Sequence, residues 1–165
     1  AEANKPLNVV MKQMTAQPVL RTRLLGQTFE TVLNTMHHIR AHLPENKRYG
    51  LIYCICHEDN VSVDDMELEV GCFVESDNHA IVPLSDSIQL QYHELPPVAM
   101  MASSVVRGPL ERILLGYAQI GQWAEANGYR TLGMPLEVTL QLPESGDVND
   151  LITEVRYPVE QVPLN

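Results

Sequence analysis

Aromatic residues are scarce in this chain: two Phe, one Trp and six Tyr in 165 residues. Each ring is therefore a candidate for core packing or for stacking on a ligand. Positive charge is scarce as well. Eleven Lys and Arg stand against 21 Asp and Glu, for a net charge of -10 and a pI of about 4.9. No Lys/Arg cluster offsets that balance, so direct nucleic-acid binding by this segment is not expected. A surface of this sign attracts cations. Cysteine is limited to Cys54, Cys56 and Cys72. An odd, small set argues against a disulfide framework and for a reducing, cytoplasmic compartment. No uninterrupted apolar run approaches the roughly 18 residues of a membrane span, and no signal-peptide pattern opens the chain. The chain starts at Ala1 rather than Met, as expected of a fragment or a processed chain, and an attached DNA-binding domain upstream is compatible with that start.

Catalytic and metal signatures are also missing. Ser103-Ser104 lacks a nucleophile-elbow context, and no phosphate loop occurs. His38 and His42 lie one helical turn apart, without the Glu of a zinc-protease pattern. Cys54 and Cys56 share one strand face while His57 points to the other, a poor arrangement for a closed zinc site. The three cysteines are expected to be buried and structural. No metal, cofactor or catalytic residue is assigned.

What is present is periodicity. Pro18 to Leu25 alternates apolar and basic residues, as a half-buried strand does. From Thr28 to Leu43, Phe29, Val32, Leu33, Met36, Ile39 and Leu43 recur at helical spacing, with Thr28 as N-cap and Pro44 as stop. Leu51 to His57 and Met66 to Val74 read as strands. An edge strand is expected near Ile88 to Tyr92. The order then recurs. Val98 to Val106 reads as a strand, and Pro109 opens a helix whose stripe is Leu110, Ile113, Leu114, Tyr117, Ile120 and Ala124. Asn127-Gly128 stops it. Met134 to Leu142 and Leu151 to Val159 read as strands. EVGCFVE at Glu69 and EVRYPVE at Glu154 share four of seven letters at an offset of 154 − 69 = 85 residues. The expectation is an α+β domain over residues 1–165, built from two strand–helix–strand–strand repeats with pseudo-two-fold symmetry. Its antiparallel sheet carries the helices on one face and a ligand groove between repeats. Repeat one covers about 8–75, the connector about 76–97 and repeat two about 98–161.

Strand alternation suggests which faces meet. Leu136, Val138, Leu140 and Leu142 share one face, expected against the helix with Leu151, Val155, Tyr157 and Val159. Glu137, Thr139 and Gln141 then fall on the other face with Glu154, Arg156 and Pro158. Ile52, Cys54 and Cys56 face the first helix, and Tyr53, Ile55, His57 and Phe73 face away. Tyr53, Ile55, Phe73, Glu137, Thr139 and Arg156 are thereby expected to line one groove, suited to a small organic, cationic ligand. With the turn centred between Gly146 and Asp147, Glu137 stands directly opposite Arg156. Glu137 therefore has two readings. It is either a ligand-pairing carboxylate or half of an exposed cross-strand ion pair worth under about 1 kcal/mol. Tyr53, Phe73 and Trp123 are either ligand-stacking groups or ordinary packing.

The stretch RGPLERILLGYAQIGQWAEANGYRTLGMPLEVTLQLP, followed by TEVRYPVE, resembles the C-terminal half of GyrI-like effector-binding domains. Gly108, Trp123, Gly128-Tyr129, Glu137, Thr153-Glu154 and Pro158-Val159 carry the likeness. VLRTR and MELEVGCFV resemble the corresponding parts of the first half. The resemblance implies two strand–helix–strand–strand repeats and a pocket carboxylate at Glu137. It implies a small-molecule effector-binding module, as in the sensor half of MerR-like and AraC-like transcription regulators, many of which accept amphipathic or cationic drugs. Stand-alone members of the gyrase-inhibitor and hydrolase types give the second reading. A homodimer is compatible with the family. Two positions depart from its pattern. Glu137-Val138-Thr139 replaces a common Glu-x-Tyr, and Leu110 replaces a common aromatic.

Overall fold

The computed structural model describes residues 8–43, 49–57, 66–144 and 147–163. The strands are β1 (Val10–Met14), β2 (Gln17–Gln27), β3 (Tyr49–Cys56), β4 (Met66–Val74), β5 (Val82–Pro83), β6 (Gln89–Leu95), β7 (Val98–Arg107), β8 (Tyr129–Thr131), β9 (Leu136–Gln141) and β10 (Ile152–Gln161). Helix α1 (Phe29–His42) follows β2, and α2 (Leu110–Ala126) follows β7. The expected helices and strands are present, with ends shifted by up to three residues. The short strands β1, β5 and β8 lack a clear period and were not anticipated. The stop at Pro44 and the acidic link 58–65 lie outside the described residues.

The strands form one sheet in the order β1-β7-β10-β9-β3-β4-β2-β6-β5, with β8 added on β10. Every pairing is antiparallel. The orders β2-β4-β3 and β7-β10-β9 match and meet where β3 pairs with β9.

A single ribbon links the two halves a second time. Met14 pairs with Val98 in β1–β7, and Gln17 pairs with Leu95 in β2–β6. The two ladders are one antiparallel ribbon, broken where Thr15-Ala16 faces Pro96-Pro97. Proline has no N–H to donate, so the ladder stops and bends there. Strands near opposite ends of the sheet are thus joined by two residues, a reach of at most about 11 Å. The sheet must curl until its ends approach. The curl encloses a core of Met14, Val19, Tyr53, Leu95, Met101, Leu136 and Val138.

The helices cover the other face. α1 packs Val32, Met36 and Ile39 onto Leu20, Cys54, Leu68 and Val70. α2 packs Ile113, Ile120 and Ala124 onto Ala102, Val155 and Val159. Thr28 caps α1: its hydroxyl accepts from the Thr31 amide at 3.2 Å, while the Thr31 hydroxyl accepts from the Thr28 amide at 2.9 Å. Pro109 is the N-cap of α2, one place earlier than expected. Asn127 ends α2, and Gly128 takes the left-handed φ of 81° that a side chain disfavours. Among the described residues, no helix is long and apolar enough to cross a membrane.

One expectation about faces is corrected. Leu151 just before β10, and Val155 and Val159 on it, do face the helices, and on β3, Cys54 and Cys56 do so as well. On β9 the assignment is reversed. Ile152 pairs with Gln141, which continues the register of a turn centred between residues 146 and 147, but the next pair is Thr153 with Thr139. Leu140 is the extra residue of a β-bulge, and its side chain is 41% exposed. Beyond the bulge the alternation is shifted by one, which exchanges faces. Leu136 and Val138 enter the inner core, while Glu137 and Thr139 turn toward the helices. Glu137 pairs with Val155, and Arg156 pairs with Leu136, so the expected Glu137–Arg156 cross-strand pair does not form.

Two glycines test the packing. A Cβ on Gly71 would lie 2.3 Å from the Leu20 carbonyl oxygen and 3.0 Å from the Arg21 Cα, both backbone atoms of β2. Gly71→Ala is expected to destabilise the protein by at least about 2 kcal/mol. A Cβ on Gly121 in α2 meets nothing within 4 Å. Gly121→Ala is expected to stabilise by up to about 1 kcal/mol through helix propensity. Urea unfolding midpoints of the two variants check both signs.

Candidate functional site

Between the two helices and the sheet lies a cavity of about 30 Å³. Its walls are mostly apolar, with Phe29, Val32, Leu33 and Met36 from α1 and Leu110, Ile113 and Leu114 from α2. Spacing on each helix puts these residues on one face. The floor is Cys54, Cys56, Glu137, Thr139 and Thr153 from β3, β9 and β10.

Among the described residues, Glu137 is the only carboxylate on this wall. It is half-buried, and the Tyr117 hydroxyl donates to its Oε2. Among the described residues no Lys, Arg or His forms an ion pair with it. Burial disfavours its charged form and outweighs the hydrogen bond from Tyr117, so its pKa is pushed up to about 7. Tyr117 is itself held protonated, by burial first and then by the neighbouring carboxylate. The Tyr117 ring meets Tyr157 edge-on at 6.0 Å. The Thr139 hydroxyl reaches the Met36 sulfur at 3.6 Å.

Two further carboxylates, both fully buried, lie on the opposite face of the sheet, at the repeated Glu positions 69 and 154. Glu69 accepts from the Tyr53 hydroxyl at 2.6 Å and from Arg21 at 2.9 Å, with His57 at 3.2 Å. Glu154 accepts from Ser103 at 2.6 Å, Lys12 at 2.5 Å and Arg156 at 3.0 Å. Burial pushes both upward, but the donors prevail. Glu69 is held below its ordinary value, and Glu154 is brought down to about 2. These are matched charges, whereas Glu137 is not.

The residues anticipated for the groove therefore separate. Glu137 and Thr139 line the cavity. Tyr53, Ile55 and Phe73 belong to the inner core, with the Tyr53 and Phe73 rings 5.3 Å apart. Arg156 is held by Glu154 on that same face. Trp123 stacks on Tyr129 at 5.9 Å, near the end of α2, and does not line the cavity. Tyr117, Cys54, Cys56, Phe29 and Met36 were not assigned to the site from the sequence. Each had been placed on a helix-facing stripe or strand face. The missing signal was that Glu137 shares that side.

The GyrI-like small molecule binding domain family matches residues 7–160. This chain belongs to that family. The fold is similar to that of the EcmrR C-terminal domain, at a TM-score of 0.74 and 18% identity, covering 94% of this chain and 99% of that one. In an EcmrR–DNA complex the corresponding match covers 95% of this chain and 59% of the longer EcmrR chain. A hydrolase from Listeria innocua matches at 0.65 and 10% identity, covering 96% and 95% of the two chains. SAV2435, a protein solved bound to tetraphenylphosphonium, matches at 0.53 and 9% identity, covering 93% and 94%. At these identities the likeness is one of fold. No curated protein sequence matches the chain.

The raised pKa of Glu137 couples stability to pH. The folded state holds this proton above the pH at which the unfolded chain releases it. The stabilisation from Glu137 is full below about pH 4.5 and is lost as pH rises through about 7. Glu137→Gln removes that dependence. Relative to the parent, it is expected to be more stable at pH 8 than at pH 5, with a difference of a few kcal/mol at most. Denaturant unfolding at the two pH values checks this.

Proposed function

We propose that this GyrI-like domain is an effector-binding module for amphipathic, cationic, drug-like molecules, acting in the cytoplasm as the sensor part of a transcription regulator. One observation carries the reading: Glu137 is a desolvated carboxylate on the wall of an apolar cavity, without an ion-pair partner among the described residues. An organic cation supplies the missing charge, and the helix side chains supply apolar contact. Thr139 and Tyr117 are the other polar groups offered to the ligand. Tetraphenylphosphonium in SAV2435 is a precedent in a similar fold. The EcmrR likeness is a precedent for attachment to a DNA-binding part, which an acidic chain with net charge -10 would need for contact with DNA.

A cavity of about 30 Å³ has room for little more than one water. A drug-sized ligand must therefore part α1 and α2 from the sheet. That displacement is the signal, since a ligand shifts a conformational equilibrium only by its differential affinity for the two states.

The Listeria innocua neighbour supports a second reading, hydrolysis, because a carboxylate with a pKa near 7 is suited to act as a general base. Turnover of bound ligand, seen by mass spectrometry, would favour it.

Calorimetry with tetraphenylphosphonium and neutral triphenylphosphine oxide separates charge from shape. The cation is expected to bind more tightly, and more so at pH 8 than at pH 6 as Glu137 ionises. Glu137→Gln is expected to cost the cation tenfold or more, about 1.4 kcal/mol, and to leave the neutral ligand unchanged. Equal binding of both ligands, or no effect of Glu137→Gln, would remove Glu137 as the anchor.

A further inference from the structure

Besides Glu137 and the phenol of Tyr117, the strongest nucleophiles on the cavity wall are two thiols. Cys54 and Cys56 occupy the same face of β3 and both line the cavity. Cys54 pairs directly with Glu137 across the β3–β9 ladder. Side chains at such paired positions stand with their Cβ atoms about 4.5–5.5 Å apart. Cys72, the third thiol, is buried under α1 and does not line the cavity. The wall thus holds a thiol beside a carboxylate that has no ion pair among the described residues.

We propose that Cys54 captures soft electrophiles that enter the cavity, with Glu137 as the proton acceptor. The substrate class is an activated alkene conjugated to a carbonyl. The Cys54 sulfur forms a bond to the β-carbon as its proton passes to Glu137. The alkene π pair moves toward the carbonyl, and the α-carbon then takes the proton back from Glu137. The net change is addition of S–H across C=C, with no oxidant or reductant. Burial, and next the Glu137 charge, push the Cys54 thiol above its ordinary range. Free thiolate is therefore scarce, and reaction depends on an adjacent base.

The groups facing Glu137 are Tyr117 from α2 and Cys54 and Cys56 from β3. The cavity-lining residues of α1 and the Thr153 and Val155 positions of β10 carry no titratable group. Glu137 ionises near pH 7 and the thiol well above it. The capture rate is therefore expected to rise through about pH 7.

This inference rests on the reading that the cavity admits small molecules, and the test separates the two. The folded protein is treated with N-ethylmaleimide at pH 7, and adducts are mapped by mass spectrometry over time. Cys54 is expected to be labelled at least tenfold faster than Cys72. Glu137→Gln is expected to slow Cys54 labelling at least tenfold and to abolish the inflection near pH 7. Labelling of Cys54 no faster than Cys72, labelling of Cys56 instead, or a rate unchanged in Glu137→Gln overturns the proposal. The comparison of Cys54 with Cys72 uses the parent protein, so it stands even if a variant folds poorly. Tetraphenylphosphonium that binds by calorimetry while Cys54 stays unlabelled overturns capture and leaves the cation reading intact. Glu137-dependent labelling without tetraphenylphosphonium binding does the reverse.

Discussion

The site depends on one backbone irregularity. Leu140 is an extra residue in β9, and the bulge it makes turns Glu137 and Thr139 from the curled inner face to the helix face. Without it, Glu137 would stand opposite Arg156 among the matched charges of the inner face. With it, Glu137 enters an apolar environment where burial lifts its pKa and, among the described residues, no Lys, Arg or His forms an ion pair with it. Leaving a carboxylate in that state destabilises the folded protein, and a bound cation would remove the cost.

The inner face shows what a buried carboxylate looks like when the protein satisfies it. Glu69 and Glu154 occupy the repeated EV motif, and each collects a hydroxyl and two cationic or cation-capable side chains. Those networks sit beside the core enclosed by the bent ribbon of β1–β2 and β6–β7. They contribute stability above the ordinary carboxylate range, which is lost as pH falls, for Glu154 toward about 2. Two carboxylates matched by cationic partners and one held only by a phenol stand on opposite sides of one sheet.

Much of the fold was legible because it is written in periodicity. Helix α1 was bounded by Thr28 and its stripe, and α2 by Pro109, Asn127 and Gly128. Strand β4 was read to the residue, and the α+β class and GyrI-like family followed from order and spacing. Glu137 was singled out from its place in the family pattern. Its neighbours were not, because strand alternation carries no record of a bulge. A shift of one residue at Leu140 reverses every face assignment in the inner half of β9. Tyr53, Phe73 and Arg156 were grouped with Glu137 for that reason alone. Strand β8 spans only three residues and β5 two, too short for a period to register.

The point on which the rest turns is that burial lifts the Glu137 carboxyl to a pKa of about 7, with no ion pair to it among the described residues. Carbon-13 NMR of the Glu side-chain carboxyls, assigned with Glu137→Gln and titrated from pH 3 to pH 9, reads it directly. The account predicts one resonance, absent in the variant, that titrates near pH 7. A Glu137 midpoint at or below about 4.5, the ordinary value for a solvated or ion-paired Glu, would contradict it.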